Sequence, residues 1–186
     1  MPIQFKGLVF IIASIGLVWL SWPSLRRYRS HGFYRFFAWE AILILILINL
    51  DVWFYQPFSL HQIISWLCLL ASIFLVIHGV QLLRMVGRPD SERSSDPALI
   101  GFEKTTELVM VGAYRYIRHP LYSSLLFLGW GAFFKDPSWL GVVLVGLVTF
   151  FLTMTAKIEE GENIAFFGQA YQDYIKKTKM FVPFLF

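Results

Sequence analysis

The stretch Gly112-Ala-Tyr-Arg-Tyr-Ile-Arg-His-Pro-Leu-Tyr122 carries side chains whose types and spacing suit chemistry. Pro120 favours the first position of a helix, where its missing N–H would have had no partner in any case. His119, which precedes this proline, is biased towards extended geometry and falls outside the helix. The positive end of the helix then meets Arg115 and Arg118, and this combination suits an anion such as a carboxylate or phosphate.

Two adjacent carboxylates form a second group, because Glu159 and Glu160 follow directly on an apolar run. If a helix continues past Gly161, Glu160 shares a face with Tyr171, and Glu159 lies one turn from Asn163. Carboxylates with aromatic residues further along suit a cationic ligand that bears hydroxyl groups. The alternative is a helix on the membrane surface whose charges face water.

The elements that must position these groups are membrane helices. Hydrophobic residues make up 57% of the 186 residues, and the mean hydropathy is +0.61, which is too apolar for a soluble domain of this size. We therefore predict an all-α integral membrane protein with about five transmembrane helices, a C-terminal helical hairpin and an amphipathic tail helix on the cytoplasmic side. The single cysteine excludes an intrachain disulfide and a cysteine-rich metal site. The predicted membrane segments are Gly7–Trp22, Phe36–Phe58, Leu60–Leu83, Leu121–Phe134 and Trp139–Thr155.

Basic residues set the predicted orientation of these segments. Of the 16 Lys and Arg residues, only Lys6 and Lys135 fall on one side. The positive-inside rule then places the N-terminus outside and the C-terminus in the cytoplasm, in the plasma membrane of a bacterium or archaeon. The net charge of +4 thus reflects membrane topology and indicates no nucleic-acid partner. The cytoplasmic set is Arg26, Arg27, Arg29, Arg35, Arg84, Arg88, Arg93, Lys104, Arg115, Arg118, Lys157, Lys176, Lys177 and Lys179.

The chain contains no repeat or linker that would divide it, so we predict one membrane domain over 1–186. Residues 1–100 supply N-terminal helices on the acceptor side, and 101–186 form the core. Ionisable residues inside membrane segments are functional candidates. Glu40, near the cytoplasmic end of the second segment, is the candidate for contacting the polar head of an acceptor.

Together these residues resemble the membrane methyltransferase superfamily of isoprenylcysteine carboxyl methyltransferases and phospholipid N-methyltransferases. The resemblance covers roughly residues 101–186, and it rests on the order and spacing of several short motifs. The matching residues are Leu108–Tyr122, Gly129 with Gly131, Glu159-Glu160, Phe167-Gly-x-x-Tyr-x-x-Tyr174 and Pro183.

The resemblance implies S-adenosylmethionine (SAM) as the methyl donor and a cofactor site built from these motifs. It implies that Arg118, His119 and Tyr122 hold the methionine carboxylate, with Tyr114 and Pro120 from the same motif. Glu160, together with Glu159, would bind the ribose hydroxyls or the amino group. Asn163 and Tyr171 complete the implied cofactor site.

Gly129 and Gly131 have two interpretations. The resemblance implies that they let the cofactor approach the helix. The alternative is close packing between helices, which small residues also permit. On a regular helix the two glycines point about 200° apart, so both line one pocket only if the helix is distorted.

The methyl acceptor stays open between a carboxylate, an amine and a thiol on a lipid or lipid-like molecule. An amine or thiol needs a base, for which Glu159 or Glu160 is the candidate. A carboxylate needs only a cation, which Arg118 or Lys157 would supply. Relatives that methylate carboxylates often carry an arginine shortly before the paired glutamates, and this chain has only Lys157 there.

Two other classes of function compete with a methyltransferase. An NADPH-dependent membrane reductase of the sterol type is also multi-helical with a cytosolic C-terminal cofactor region, but paired glutamates would repel the phosphates of a dinucleotide. A non-catalytic membrane subunit that has kept the motifs is the third class. The oligomeric state does not follow from the sequence.

Overall fold

The computed structural model describes residues 2–87 and 105–184, and within these ranges the chain forms six α-helices and no β-strand. Short 3₁₀ turns at Leu50–Val52 and Gly112–Arg115 complete the secondary structure. Arg88, Arg93 and Lys104 of the predicted basic side lie outside the described residues. The helices are α1 (Ile3–Leu25), α2 (His31–Asn49), α3 (Leu60–Met85), α4 (Pro120–Phe133), α5 (Trp139–Phe167) and α6 (Gln169–Lys177).

Four helices in the described ranges are long and apolar enough to cross a membrane: α1, α2 with its 3₁₀ extension, α3 and α5. Helix α4 has 14 residues, so its length is about 21 Å. That is short of the ~30 Å hydrocarbon core of a bilayer. The predicted fourth segment is therefore a short helix inside the bundle, and the all-helical architecture is confirmed.

Helix α4 is the centre of the bundle, because it packs against α2, α3 and α5. Its small residues allow this, and Ala132 is fully buried beside Leu45 of α2 and Val148 of α5 in one apolar core. Helix α1 packs against α2 at the edge of the bundle.

The end of the bundle where α4 finishes, called the distal end below, holds the two basic residues predicted on the outer side. Lys6 pairs with Asp51 at 2.8 Å. Lys135 is buried, and its Nζ donates to Gln62 Oε1 at 3.0 Å and lies 3.3 Å from the ring centroid of Trp66. The helix directions thus separate these two lysines from Arg118 and His119 at the start of α4.

The C-terminal segment returns to the start of α4. Ile117 and Lys179 form a parallel bridge, in which the N–H of Arg118 donates to Lys179 O at 2.8 Å. The N–H of His119 donates to Met180 O at 3.2 Å. These bonds fix the backbone on which Arg118 and His119 stand, and we call this the site end of the bundle.

Candidate active site at the start of helix α4

The sequence determines the first turn of α4 locally. Pro120 occupies the first turn of the helix, and His119 precedes it with a φ of −123°, as predicted. Ser123 Oγ donates to His119 O at 2.9 Å and to Phe181 O at 2.8 Å, which ties this turn to the C-terminal segment. His119 is consequently held in place and only 5% exposed.

Helix α5 brings the carboxylates to the same place. It extends beyond the predicted segment Trp139–Thr155 and continues through Gly161, and it ends before Gly168, whose φ of +62° lies in a region that glycine adopts readily. The turn at Gly168 redirects the chain, so that Tyr171 and Tyr174 of α6 fold back and become buried. One amphipathic stretch of sequence therefore forms two walls of a site.

Arg118 and Glu160 form the strongest contact of the site. Arg118 Nε donates to Glu160 Oε1 at 2.5 Å, and its Nη1 donates to Thr178 O at 2.5 Å. His119 Nε2 lies 3.3 Å from the same carboxylate oxygen. A guanidinium suits this arrangement because its donors diverge in a fixed plane.

Glu159 has a separate set of partners. The Tyr122 hydroxyl donates to Glu159 Oε2, and Asn163 Nδ2 lies 3.5 Å from Glu159 Oε1. The Tyr122 ring also stacks on His119 with centroids 5.4 Å apart. The groups predicted to bind an anion and the groups predicted to bind a cation are thus partners of one another in this structure.

These side chains surround one pocket, whose open space measures about 70 Å³. A ligand larger than a few water molecules enters only if the walls separate. The polar lining residues come from the turn before α4, from α4, α5 and α6. They are Tyr114, Arg118, His119, Tyr122, Glu159, Asn163, Tyr171 and Tyr174, with Thr105 from the segment before this turn, and apolar residues such as Leu83, Val109 and Leu121 complete the wall.

The two tyrosines of α6 are uncharged donors. Burial, and for Tyr171 also the negative charge of Glu159, raises the pKa of both hydroxyls well above the ordinary value. Tyr174 donates to Tyr114 O at 2.5 Å, so it holds α6 against the turn that precedes α4. The site therefore keeps these groups neutral across the physiological pH range.

Glu160 and Pro120 do not line the pocket themselves. Glu160 reaches it through Arg118 and His119, and Pro120 sets the helix start. Arg115 points elsewhere, because it is exposed and lies over the Tyr116 ring, so the predicted pair of arginines at one anion site does not form.

Four other predicted residues lie away from the pocket. A Cβ on Gly129 would lie 3.0 Å from Val148 of α5, and one on Gly131 would lie 2.9 Å from Leu69 of α3, so both glycines pack against helices. Lys157 is exposed on α5. Glu40 accepts a hydrogen bond from Ser14 Oγ of α1 at 2.7 Å.

Two residues of α2 join the site without having been predicted. His31 is fully buried, and its Nδ1 lies 2.5 Å from Glu162 Oε2. His31 and Arg35 both lie within electrostatic range of Glu159. The signal in the sequence was that His31 and Arg35 lie four residues apart on one helix face, but Glu162, the partner of His31, is 131 residues away from it.

The sequence matches a family of known proteins. A family described as phospholipid methyltransferase matches residues 60–173. The chain belongs to this family. The match includes α3 to α5 and the turn that carries Arg118 and His119, whereas α1 and α2 precede it. With four helices of spanning length, this phospholipid methyltransferase family member is an integral membrane protein.

A curated relative points in the same direction. The chain is 28% identical over 156 residues to a methanethiol S-methyltransferase of Crocosphaera subtropica. The aligned part covers 81% of this chain and 55% of the relative, so the chain spans about half of that protein's length. No solved structure gives a significant match.

Proposed function

We propose that this family member is a SAM-dependent methyltransferase that acts on an apolar acceptor at the cytoplasmic face of the membrane. The observation that carries the proposal is that Arg118, His119, Tyr122 and Glu159 line one pocket, while Glu160 bonds Arg118 and His119. SAM carries a carboxylate, an ammonium, a sulfonium and a diol. A ligand with both signs of charge requires both kinds of side chain, and this pocket has them.

The side chains of the pocket can bind this cofactor if their present ion pairs are replaced by contacts with it. Arg118 and His119 would bind the carboxylate of the cofactor in place of Glu160, and the released Glu160 would bind its ammonium or hydroxyl groups. Tyr171 and Asn163 offer further polar contacts on the same wall. When bound, SAM supplies a methyl group on a positively charged sulfur, which a nucleophile attacks in line.

The protein itself would align the acceptor with the methyl group, exclude water and remove a proton from the acceptor. Glu159 accepts from Tyr122 and lies beside Asn163, and it is the group best placed to take a proton. Its second oxygen lies 3.5 Å from Asn163 Nδ2, a weak contact that a proton donor on the acceptor could replace.

The acceptor that these groups suit is a neutral thiol or amine, because both need a base. A carboxylate acceptor needs a cation, but Arg118 is bound to Glu160 and Lys157 lies outside the pocket. The relative that methylates methanethiol supports the thiol, and the family's name supports a phospholipid amine. We place the thiol first, since a small molecule fits a narrow pocket.

Calorimetry on detergent-purified protein tests the cofactor. We expect micromolar binding of SAM and S-adenosylhomocysteine, which His119→Ala and Glu160→Ala abolish while the protein stays folded. His61→Ala and Asp51→Asn are the matched controls, because both residues lie at the distal end. Wild-type affinity in both site variants refutes the assignment of these residues.

The same titrations separate the competing functions. Binding of NADPH without SAM would indicate the reductase, and binding of neither would indicate a non-catalytic subunit. Transfer of a labelled methyl group to methanethiol, to phosphatidylethanolamine and to a prenylcysteine carboxylate then identifies the acceptor. Labelling of the carboxylate alone would contradict the role given to Glu159.

A further inference from the structure

A basic cleft lies beside the candidate active site but does not belong to it. Four cations line it: Arg115 from the turn before α4, Lys176 and Lys177 from the end of α6, and Lys179 from the C-terminal segment. None of its described lining residues is acidic. It shares no lining residue with the pocket of Glu159, although it lies at the same end of the bundle.

The charges of the cleft are largely available for a ligand. Asp173 pairs with Lys176 at 2.9 Å, so the exposed Lys177 and Lys179 are the lysines of the cleft best placed to bind an anion. The carbonyls of Ile175 and Thr178, which would repel an anion at the end of α6, accept hydrogen bonds from Arg118. The cleft therefore presents positive charge with its nearest helix-end carbonyls already bonded.

An apolar groove of about 380 Å³ adjoins the cleft. Tyr116 lines both, and its ring contacts Phe184 of the cleft with centroids 6.4 Å apart. Phe74 and Phe127 line the groove from the membrane helices α3 and α4, and Phe181 and Pro183 line it from the C-terminal segment. Its wall is almost entirely apolar, apart from His78, which stacks on Phe74.

We propose that the cleft and the groove together bind one anionic phospholipid, with its phosphate among the lysines and an acyl chain in the groove. Lysine and arginine at the membrane surface attract anionic headgroups, and an adjoining apolar channel favours a lipid over a free phosphate. This lipid is not the methyl acceptor, because the site shares no residue with the pocket that contains Glu159. Its binding would hold the C-terminal segment against the bilayer.

Native mass spectrometry of the detergent-purified protein tests the proposal with dioleoyl phosphatidylglycerol, which has no amine to methylate. We expect one lipid to be retained with at least tenfold higher affinity than dioleoyl phosphatidylcholine. Lys177→Gln with Lys179→Gln should reduce this preference to about one. The matched control is Arg27→Gln with Arg29→Gln, which removes the same charge on the same side but outside the cleft.

A groove variant distinguishes a lipid from a free phosphate. Ala113→Trp places a large side chain in the groove, and it should weaken phosphatidylglycerol binding at least fivefold while the four cations remain. Equal retention of both lipids, or equal loss in the arginine control, would overturn the proposal. Competition by glycerol 3-phosphate at the concentration of the lipid would also overturn it, since the groove would then contribute nothing.

Discussion

The site end and the distal end of the bundle bury polar groups in different ways. At the distal end, polar side chains bond the backbone of a neighbouring helix: Asn49 donates to Ala132 O at 2.8 Å and Ser65 to Gly131 O at 2.7 Å. At the site end such bonds also occur, but there buried charged side chains bond one another, as Arg118 bonds Glu160 and His31 bonds Glu162. Backbone partners fix packing, whereas paired side chains can exchange one another for a ligand.

Lys135 makes the contrast clearest, because it is a buried cation without a carboxylate partner among the described contacts. It donates to the Gln62 amide oxygen and lies against the Trp66 and Trp53 rings. Gln62 in turn donates to Lys135 O at 3.0 Å. At this place the distal end thus joins α3 to the turn after α4 through neutral partners, without the paired charges that surround the candidate site.

The largest effect expected at the site end is that of Arg118→Lys. A lysine keeps the charge but cannot donate to Glu160 and to Thr178 O with the same fixed geometry. Hydrogen bonds to charged groups contribute about 1.5–3 kcal/mol, so SAM affinity should fall roughly 10- to 100-fold in calorimetry. Arg29→Lys, on an exposed residue, should bind SAM like the wild type. Unchanged affinity in Arg118→Lys would show that the guanidinium geometry is irrelevant.

At the distal end, the next effect is a dependence of stability on pH. Burial lowers the pKa of Lys135 from 10.5 to about 8. Between these values the unfolded chain binds more protons than the folded one, so stability should rise with pH, by about 2 kcal/mol between pH 7 and 9.5. The cation–π contact with Trp66 favours the charged form and offsets part of this.

Thermal unfolding in detergent at several pH values measures that rise, and Lys135→Met provides the control. The variant has no group to titrate there, so its unfolding temperature should lack the wild-type increase over this range. SAM affinity should stay unchanged, because Lys135 lies at the distal end. Parallel pH profiles for both proteins would show that Lys135 stays charged in the folded state.

Sequence reasoning succeeded where the cause is local. Pro120 determines the start of α4 by its own geometry, whereas the spacing beyond Gly161 did not predict that α5 ends before Gly168. It could not find that Arg118 pairs with Glu160, since that choice depends on how α4 and α5 pack. Hydropathy likewise predicted the apolar segment of α4. It did not show that α2, α3 and α5 surround this segment, which is too short to cross the bilayer.

Gly131→Ala tests the packing interpretation of the glycines, with a smaller expected cost. The new Cβ would lie 2.9 Å from the Leu69 side chain, which can shift, so stability should fall by about 1 kcal/mol. SAM affinity should not change. Gly146→Ala is the control, because its Cβ would meet nothing within 4 Å. Loss of SAM binding in Gly131→Ala without loss of stability would favour the cofactor role that the resemblance implied.

The smallest effects come from one substitution made at both ends, Ser65→Ala and Ser123→Ala. Both serines are fully buried, and each donates to backbone carbonyls. Loss of such a bond costs about 0.5–1.5 kcal/mol, so both variants should unfold slightly earlier in thermal melts. Only Ser123→Ala should also weaken SAM binding, because Ser123 ties His119 O to Phe181 O and so orients the histidine.

If both variants bound SAM equally well, the backbone around His119 would be held by its bonds to the C-terminal segment alone. If Ser65→Ala weakened SAM binding as much, the two ends would not be independent, and the division between a packing end and a binding end would fail.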